Sequence, residues 1–383
     1  MTCSHCHVFN AYNITMATRI FQLFAIQYTD THLLTSTKVV GLQFFNTIKA
    51  QFIGSLPRPI QFQPSPLLHR HFHIMTTAAP LHNTPAHNLS ESSRIEAAGQ
   101  IHAKDTSYIP RGDTTATLNY FRPPEDGSVP FNYVEEPPEG QPQRNFGDFD
   151  IQVPITDIRG IESHYNLDKD AFEVILGVPE SAEKEFRDDE SIKKNYYPEV
   201  EKLILDNVPG SNQVFIFDHT VRRSDPNAHR GPVARVHIDQ TSKSAKQRVR
   251  RHLPEEADKL LQGRYRIINV WRPINGAVQG NALAFASSAT TSDEDVIPVE
   301  HRYPSTTGET AGIRYNEGQK WHYLSGMTND ERLFLECFDS ESLKPGTKVQ
   351  GGRVPHTAFV DPRTPEGAKG RESIEVRCLV FGP

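Results

Sequence analysis

From about residue 210 onward, short apolar runs recur, each β-branched or aromatic and bounded by Gly, Pro, Asn or Asp. They cover residues 213–217, 233–238, 265–271, 282–286, 321–324, 333–338, 356–360 and 374–381, and runs of this kind predict strands. Eight strands of that size fit a double-sheet jelly roll. Residues 168–207 carry a helical period instead. There Ala171, Val174 and Ile175 follow one face, and Ile192, Tyr196, Val200, Leu203 and Ile204 form a stripe that Pro209-Gly210 stops. Helices placed before residue 210 would cover one sheet, which makes the expected fold α+β with a double-stranded β-helix (jelly roll) core. Residues 114–150 alternate a β-prone piece, 115–121, with breaks at Pro123, Pro124, Pro137, Pro138 and Pro142, the pattern of an extended N-terminal arm. Such an arm packs on its own core or on a second subunit, so a homodimer stays open.

The pattern divides the chain into a leader, 1–113, and a jelly-roll domain, 114–383. Residues 1–74 hold Arg19, Lys38, Lys49, Arg58 and Arg70 against Asp30 alone, while the whole chain is at −6. The remainder therefore sits near about −10, a poor partner for phosphate backbones, and nucleic acid is not expected. A basic, acid-poor start suits an organelle transit peptide. A disordered leader ahead of a second start at Met75 is the plainer reading. No uninterrupted apolar stretch is long enough for a membrane span. Four cysteines, Cys3, Cys6, Cys337 and Cys378, are too few for a disulfide framework and point to a reducing, cytoplasmic setting.

Chemistry enters at His237-Ile238-Asp239, where an expected strand ends. Alternation puts residues i and i+2 on one side, so the imidazole and the carboxylate can hold one metal ion together. That is two-thirds of a 2-His-1-carboxylate triad, which leaves coordination positions open on iron(II). His356 opens one late strand and Arg371 the next, so the two can be neighbours across a sheet, one as third ligand and the other as a carboxylate clamp. The long gap between Asp239 and His356 leaves His252, His301 and His322 open as third ligand. Residues 371, 373, 375 and 377 share a strand face, which makes Arg377 the alternative clamp. In Arg266-Ile-Ile-Asn-Val-Trp-Arg-Pro-Ile274, Asn269 and Arg272 lie on opposite faces, and whichever points inward could bind a cosubstrate's inner carboxylate.

The order H-x-D, distal His, then R-x-S resembles the iron(II)/2-oxoglutarate-dependent oxygenases. The wider set, ATLNYFRPPEDG at 116–127, VFIFDHTVRRSD at 214–225, RVHIDQT at 235–241, INVWRPI at 268–274, LECFDS at 335–340 and PHTAFVDP with RESIEVRCLVF at 355–381, is similar to a fungal hydroxylase/desaturase group. That group includes gibberellin desaturase-like and aspergillic-acid-type enzymes. The resemblance covers roughly residues 114–383. It implies iron(II) on His237, Asp239 and His356 as the catalytic centre, and 2-oxoglutarate gripped by Arg371 with Ser373. It also implies molecular oxygen as co-reactant and a small-molecule intermediate of fungal secondary metabolism, polyketide- or terpenoid-like, that is hydroxylated, desaturated or oxidatively cyclised.

Two rival readings keep the same residues: a non-catalytic jelly-roll scaffold of a biosynthetic complex, and zinc-dependent hydrolysis or lyase chemistry. Other signals carry less. Cys3-Ser-His-Cys6-His7 matches a haem-attachment spacing but has no fold around it, and Arg111-Gly-Asp113 reads as a polar turn. The basic run from Lys243 to Arg251 reads as a solvated helix face.

Overall fold

The computed structural model describes residues 107–224 and 231–383. The expectations placed on residues 1–106 lie outside the described residues. Two sheets make the body. The larger runs, in spatial order, β1 (Thr114–Arg122), β3 (Gly147–Asp157), β11 (Trp321–Tyr323), β8 (Ala282–Ala286), β13 (His356–Phe359), β6 (His237–Ile238), β10 (Thr307–Ile313), β9 (Val296–Arg302) and β2 (Phe131–Tyr133). The smaller is antiparallel throughout: β4 (Phe172–Ile175), β12 (Arg332–Asp339), β7 (Tyr265–Pro273), β14 (Ser373–Phe381) and β5 (Gln213–Arg222).

One core cluster is shared by both sheets, with Leu118, Val236, Ile238 and Ala284 from the first meeting Ile267, Phe338, Leu379 and Phe381 from the second. This is the jelly-roll interior. Every residue of β7 is buried because its strand is central and both of its faces are covered. The outer face of the smaller sheet (Ile268, Val270, Phe334, Ile374, Val376, Val380) packs on Ile192, Val200 and Ile204. Those residues come from the helices α2 (Asp189–Asn195) and α3 (Tyr197–Asn207), which follow the short α1 (Leu167–Asp170). Pro198 stands in the first turn of α3, where its missing N–H costs nothing, so the expected stripe is split into two helices at Tyr196. Two later helices, α4 (Ser242–His252) and α5 (Ala257–Leu260), cover the other end of the core.

The arm is used at home. β1 pairs along its whole length with β3, and β3 runs parallel to β11. Ahead of it, Gly112 N donates to Asp157 Oδ2 at 2.8 Å and Asp157 N donates to Asp113 Oδ1 at 2.9 Å, so the Arg-Gly-Asp segment is stitched to the body.

One expected helix is a strand. Ala171 adopts φ 62°, a left-handed cap that ends α1, and Phe172–Ile175 then pairs with the edge of β12. Phe, Val and Ile suit that pleated edge better than a helix, and the periodicity of so short a run could not separate the two.

Candidate metal centre

β6 is only two residues long, yet its register determines the site. His237 lies opposite Gly312 of β10 on one side and opposite His356 of β13 on the other. Residues directly opposite across antiparallel strands project to the same face, so the two imidazoles stand side by side with ring centroids 4.4 Å apart. Asp239 follows two residues after His237, on the same side. One ligand atom from each of His237, Asp239 and His356 lies within 4.8 Å of the other two, and among the described residues this is the group of His, Cys and carboxylate side chains fit for a metal ion.

The orientation of each donor is set by its neighbours. His237 Nδ1 meets the Arg235 carbonyl at 2.7 Å and His356 Nδ1 meets the Val354 carbonyl at 3.0 Å. A carbonyl only accepts, so each Nδ1 carries the proton and donates it, leaving Nε2 as the free donor atom. Burial, reinforced by His237 alongside, pushes the His356 imidazolium down to about 4, so the ring is neutral near pH 7. Asp239 Oδ2 accepts from Asn269 Nδ2 and from Arg377 Nε, both at 2.9 Å. Oδ1 is left facing His237 Nε2 at 3.4 Å. Burial opposes charge on Asp239, but the Arg377 guanidinium and the two imidazoles outweigh it and hold the carboxyl well below its usual range. The donor set fits a divalent metal: two imidazole nitrogens and one carboxylate oxygen, each oriented before any ion arrives.

The remaining expected residues separate by strand face. Asn269, Trp271 and residues 371, 373, 375 and 377 point inward from β7 and from β14 with the residues just before it. Arg371 is buried with its guanidinium 5.2 Å above the Trp271 ring, and its Nε and Nη1 have no partner among the described residues. Burial, then the nearby Arg222, pulls it down to about 9. Ser373 is buried two positions further along the same face. Every nitrogen of Arg377 is already engaged: Nε on Asp239, Nη1 on Asp218 at 2.9 Å and Thr220 at 3.1 Å, and Nη2 on Glu375 at 2.5 Å. Arg272 points the other way, beneath the helices, over the rings of Phe186 and Tyr196 at 5.4 and 5.8 Å. Alternation along β7 requires this once Asn269 faces in, so the inward position belongs to Asn269 and Arg272 stands outside the site.

None of the three alternative histidines joins the group. His252 stacks on Phe215 and Phe217, and His322 packs against Tyr165 and Phe172. His301 shares a hydrogen bond of 3.0 Å with Thr310 and lines a cavity of about 800 Å³ that reaches Asp239. Ser244, Gln247, Arg248 and Arg251 of α4 line the same cavity. The basic run is therefore only partly solvated: Lys243, Lys246 and Arg250 are exposed, whereas Arg248 is half-buried. Its signal in the sequence was the spacing 244, 247, 248, 251, one face of a helix.

Comparison with known proteins adds a family. A family profile described as an oxidoreductase/YMDC permease-like domain matches residues 118–381. The chain is 39% identical over 313 residues to the hydroxylase/desaturase poxK of Penicillium oxalicum, covering 73% of this chain and 95% of that one. It is 32% identical over 282 residues to the alpha-ketoglutarate-dependent dioxygenase phiK of Fungal sp., covering 70% and 96%. Among solved structures it resembles the iron and alpha-ketoglutarate-dependent endoperoxidase NvfI, with a TM-score of 0.64, 28% identity, and 71% of this chain and 99% of that one covered.

Proposed function

The chain belongs to the fungal hydroxylase/desaturase family of iron(II)/2-oxoglutarate-dependent oxygenases, and from that premise we propose that it uses iron(II), 2-oxoglutarate and oxygen to oxidise a small molecule of secondary metabolism. The observation that carries the reading is the convergence of three pre-oriented donor atoms within 4.8 Å. His237 and His356 would hold the metal through Nε2 and Asp239 through Oδ1. Asn269 and Arg377 hold the other oxygen of Asp239, which keeps the carboxylate monodentate and aimed. Arg371, buried and with Nε and Nη1 unpartnered among the described residues, would receive the far carboxylate of 2-oxoglutarate with Ser373 beside it. Iron(II) with 2-oxoglutarate and oxygen would supply there the oxidising power to replace a C–H hydrogen by hydroxyl, or to remove two hydrogens and leave a double bond or ring.

A non-catalytic scaffold is the weaker reading, because the relatives bear oxygenase and hydroxylase names and the ligand set is complete. The substrate is a polyketide- or terpenoid-like intermediate. Cys337 and Cys378, buried as free thiols, support a reducing cytoplasm as the site of the reaction. Among the described residues no helix is long and apolar enough to cross a membrane.

Anaerobic titration of metal-free protein with iron(II) and then 2-oxoglutarate tests the assignment. A weak visible charge-transfer band should develop in the wild type and be absent in His237→Ala. A folded wild type without the band would overturn the reading.

A further inference from the structure

The cavity that opens on Asp239 has one strongly basic wall. α4 begins three positions after Asp239, and its start is pinned: Ser244 N donates to Thr241 Oγ1 at 3.2 Å and Thr241 N donates to Ser244 Oγ at 2.8 Å. Thr241 also bonds Glu309, which takes Lys243 at 2.8 Å. The rotation of α4 is set by Ala245 and Val249, both buried in the core. With about 100° per residue, Ser244, Gln247, Arg248 and Arg251 then fall on one stripe, and all four line the cavity.

Arg248 is held ready for a ligand. Its guanidinium lies 4.9 Å over the ring of Phe217, a cation–π contact that restricts where the charge can sit. Phe217 is the extra residue of a β-bulge in β5, where Arg377 pairs with Asp218 but Cys378 with Ile216. Bulges re-aim side chains, and here the ring joins the inner core. Among the described residues no carboxylate forms an ion pair with Arg248. The nearby Asp218 is held by Arg377 at 2.9 Å, and Glu309 by Lys243. The exposed Arg251 adds positive charge along the same wall, against the exposed Glu135 on the other side.

We propose that the substrate is an acid whose carboxylate, or an equally charged pair of oxygens, is gripped by Arg248 with Arg251 reinforcing it, so that the carbon to be oxidised is presented beside Asp239. This rests on the oxygenase reading. It goes beyond it in naming the substrate's charge and the residue that selects it. The cosubstrate's carboxylate is a separate anion, assigned above to Arg371.

The test uses anaerobic protein with iron(II) and saturating 2-oxoglutarate, titrated with a panel of alkyl and aryl carboxylic acids, each beside its primary amide. Perturbation of the visible band reports binding. Acids should bind about tenfold or more tightly than their amides, the scale of a charge-assisted hydrogen bond. Arg248→Gln should erase that preference, and Arg248→Lys, which keeps the charge without the fork, should keep part of it. The proposal is overturned if no acid perturbs the band, if acids and amides bind alike, if the preference survives in Arg248→Gln, or if that variant shifts the 2-oxoglutarate midpoint instead. A wild type that shows no band fails the oxygenase reading. The same panel, followed by ligand-observed NMR on the metal-free protein, still decides for or against Arg248.

Discussion

Arg377 Nε and Asp239 Oδ2 meet at 2.9 Å, so the arginine that lies two positions from Glu375 on the inward face of β14 is spent on orienting the carboxylate proposed as a metal ligand. The same oxygen accepts from Asn269, so Oδ1 alone is left for a metal. Removing a partner of this kind costs about 10- to 100-fold in metal affinity. Arg377→Gln is therefore expected to weaken iron(II) binding by that order. Its 2-oxoglutarate requirement, measured at saturating iron, should move much less. A large change in the 2-oxoglutarate midpoint with unchanged iron affinity would make Arg377 the clamp.

Arg371 carries the opposite expectation. Its buried charge has Nε and Nη1 unpartnered, an arrangement unfavourable until an anion arrives. Arg371→Gln should raise the 2-oxoglutarate requirement by about a hundredfold, the loss of a bidentate charge-assisted pair. The cosubstrate-free variant should melt higher than the wild type. Saturating 2-oxoglutarate should then stabilise the wild type strongly and the variant little. Thermal melts with and without the ligand check both halves, and equal ligand-induced shifts would remove Arg371 from the site.

The strand runs that bury both faces were legible because β-branched, aromatic and other apolar residues dominate them: 265–271 and 374–381 became β7 and β14. β9 and β10 escaped because polar residues that line the cavity, His301, Thr307, Glu309 and Thr310, break the apolar alternation that marks a half-buried strand. The proximity of His237 and Asp239 was legible from spacing alone, since Asp239 directly follows the two-residue strand that His237 opens. The partnership of His237 with His356, and the choice of Asn269 over Arg272, depend on register between distant strands, which local periodicity does not encode. The basic run looked solvated because the cavity it faces is formed by β9 and β10, the two strands the pattern hid.

Gly312 sits opposite His237, and a Cβ placed there would lie 2.5 Å from Cγ and Cδ2 of Phe121. Phe121 is fully buried and packs on Phe146 with centroids 5.0 Å apart, so the ring has nowhere to retreat. Gly312→Ala should cost about 1–3 kcal/mol, the range for overpacking a tight core. Because β6 has two residues, the push should also spoil the metal site. Pairing it with Phe121→Leu, which vacates the contested space, should restore part of the iron affinity. A single variant that binds iron like the wild type would show that β6 is not held in register by this contact.

Acid sensitivity should trace in part to His322, which lies on β11 across Phe285 of β8 from His356. Its ring is buried against Tyr165 and Phe172, its Nδ1 has no hydrogen-bond partner among the described residues, and burial pushes its protonation down to about 4 from an ordinary 6.5. The folded state thus keeps the imidazole neutral while the unfolded chain binds a proton between those two values. Stability is fully present above about pH 6.5 and is lost as pH falls toward 4, with a slope of one proton from this residue. His356 contributes in the same direction in metal-free protein. His322→Phe keeps the ring and removes the titration, so the dependence of unfolding free energy on pH should lose about one proton of slope across that window. Urea unfolding of metal-free wild type and variant at a series of pH values measures it, and parallel curves would show that His322 is protonated without penalty in the fold.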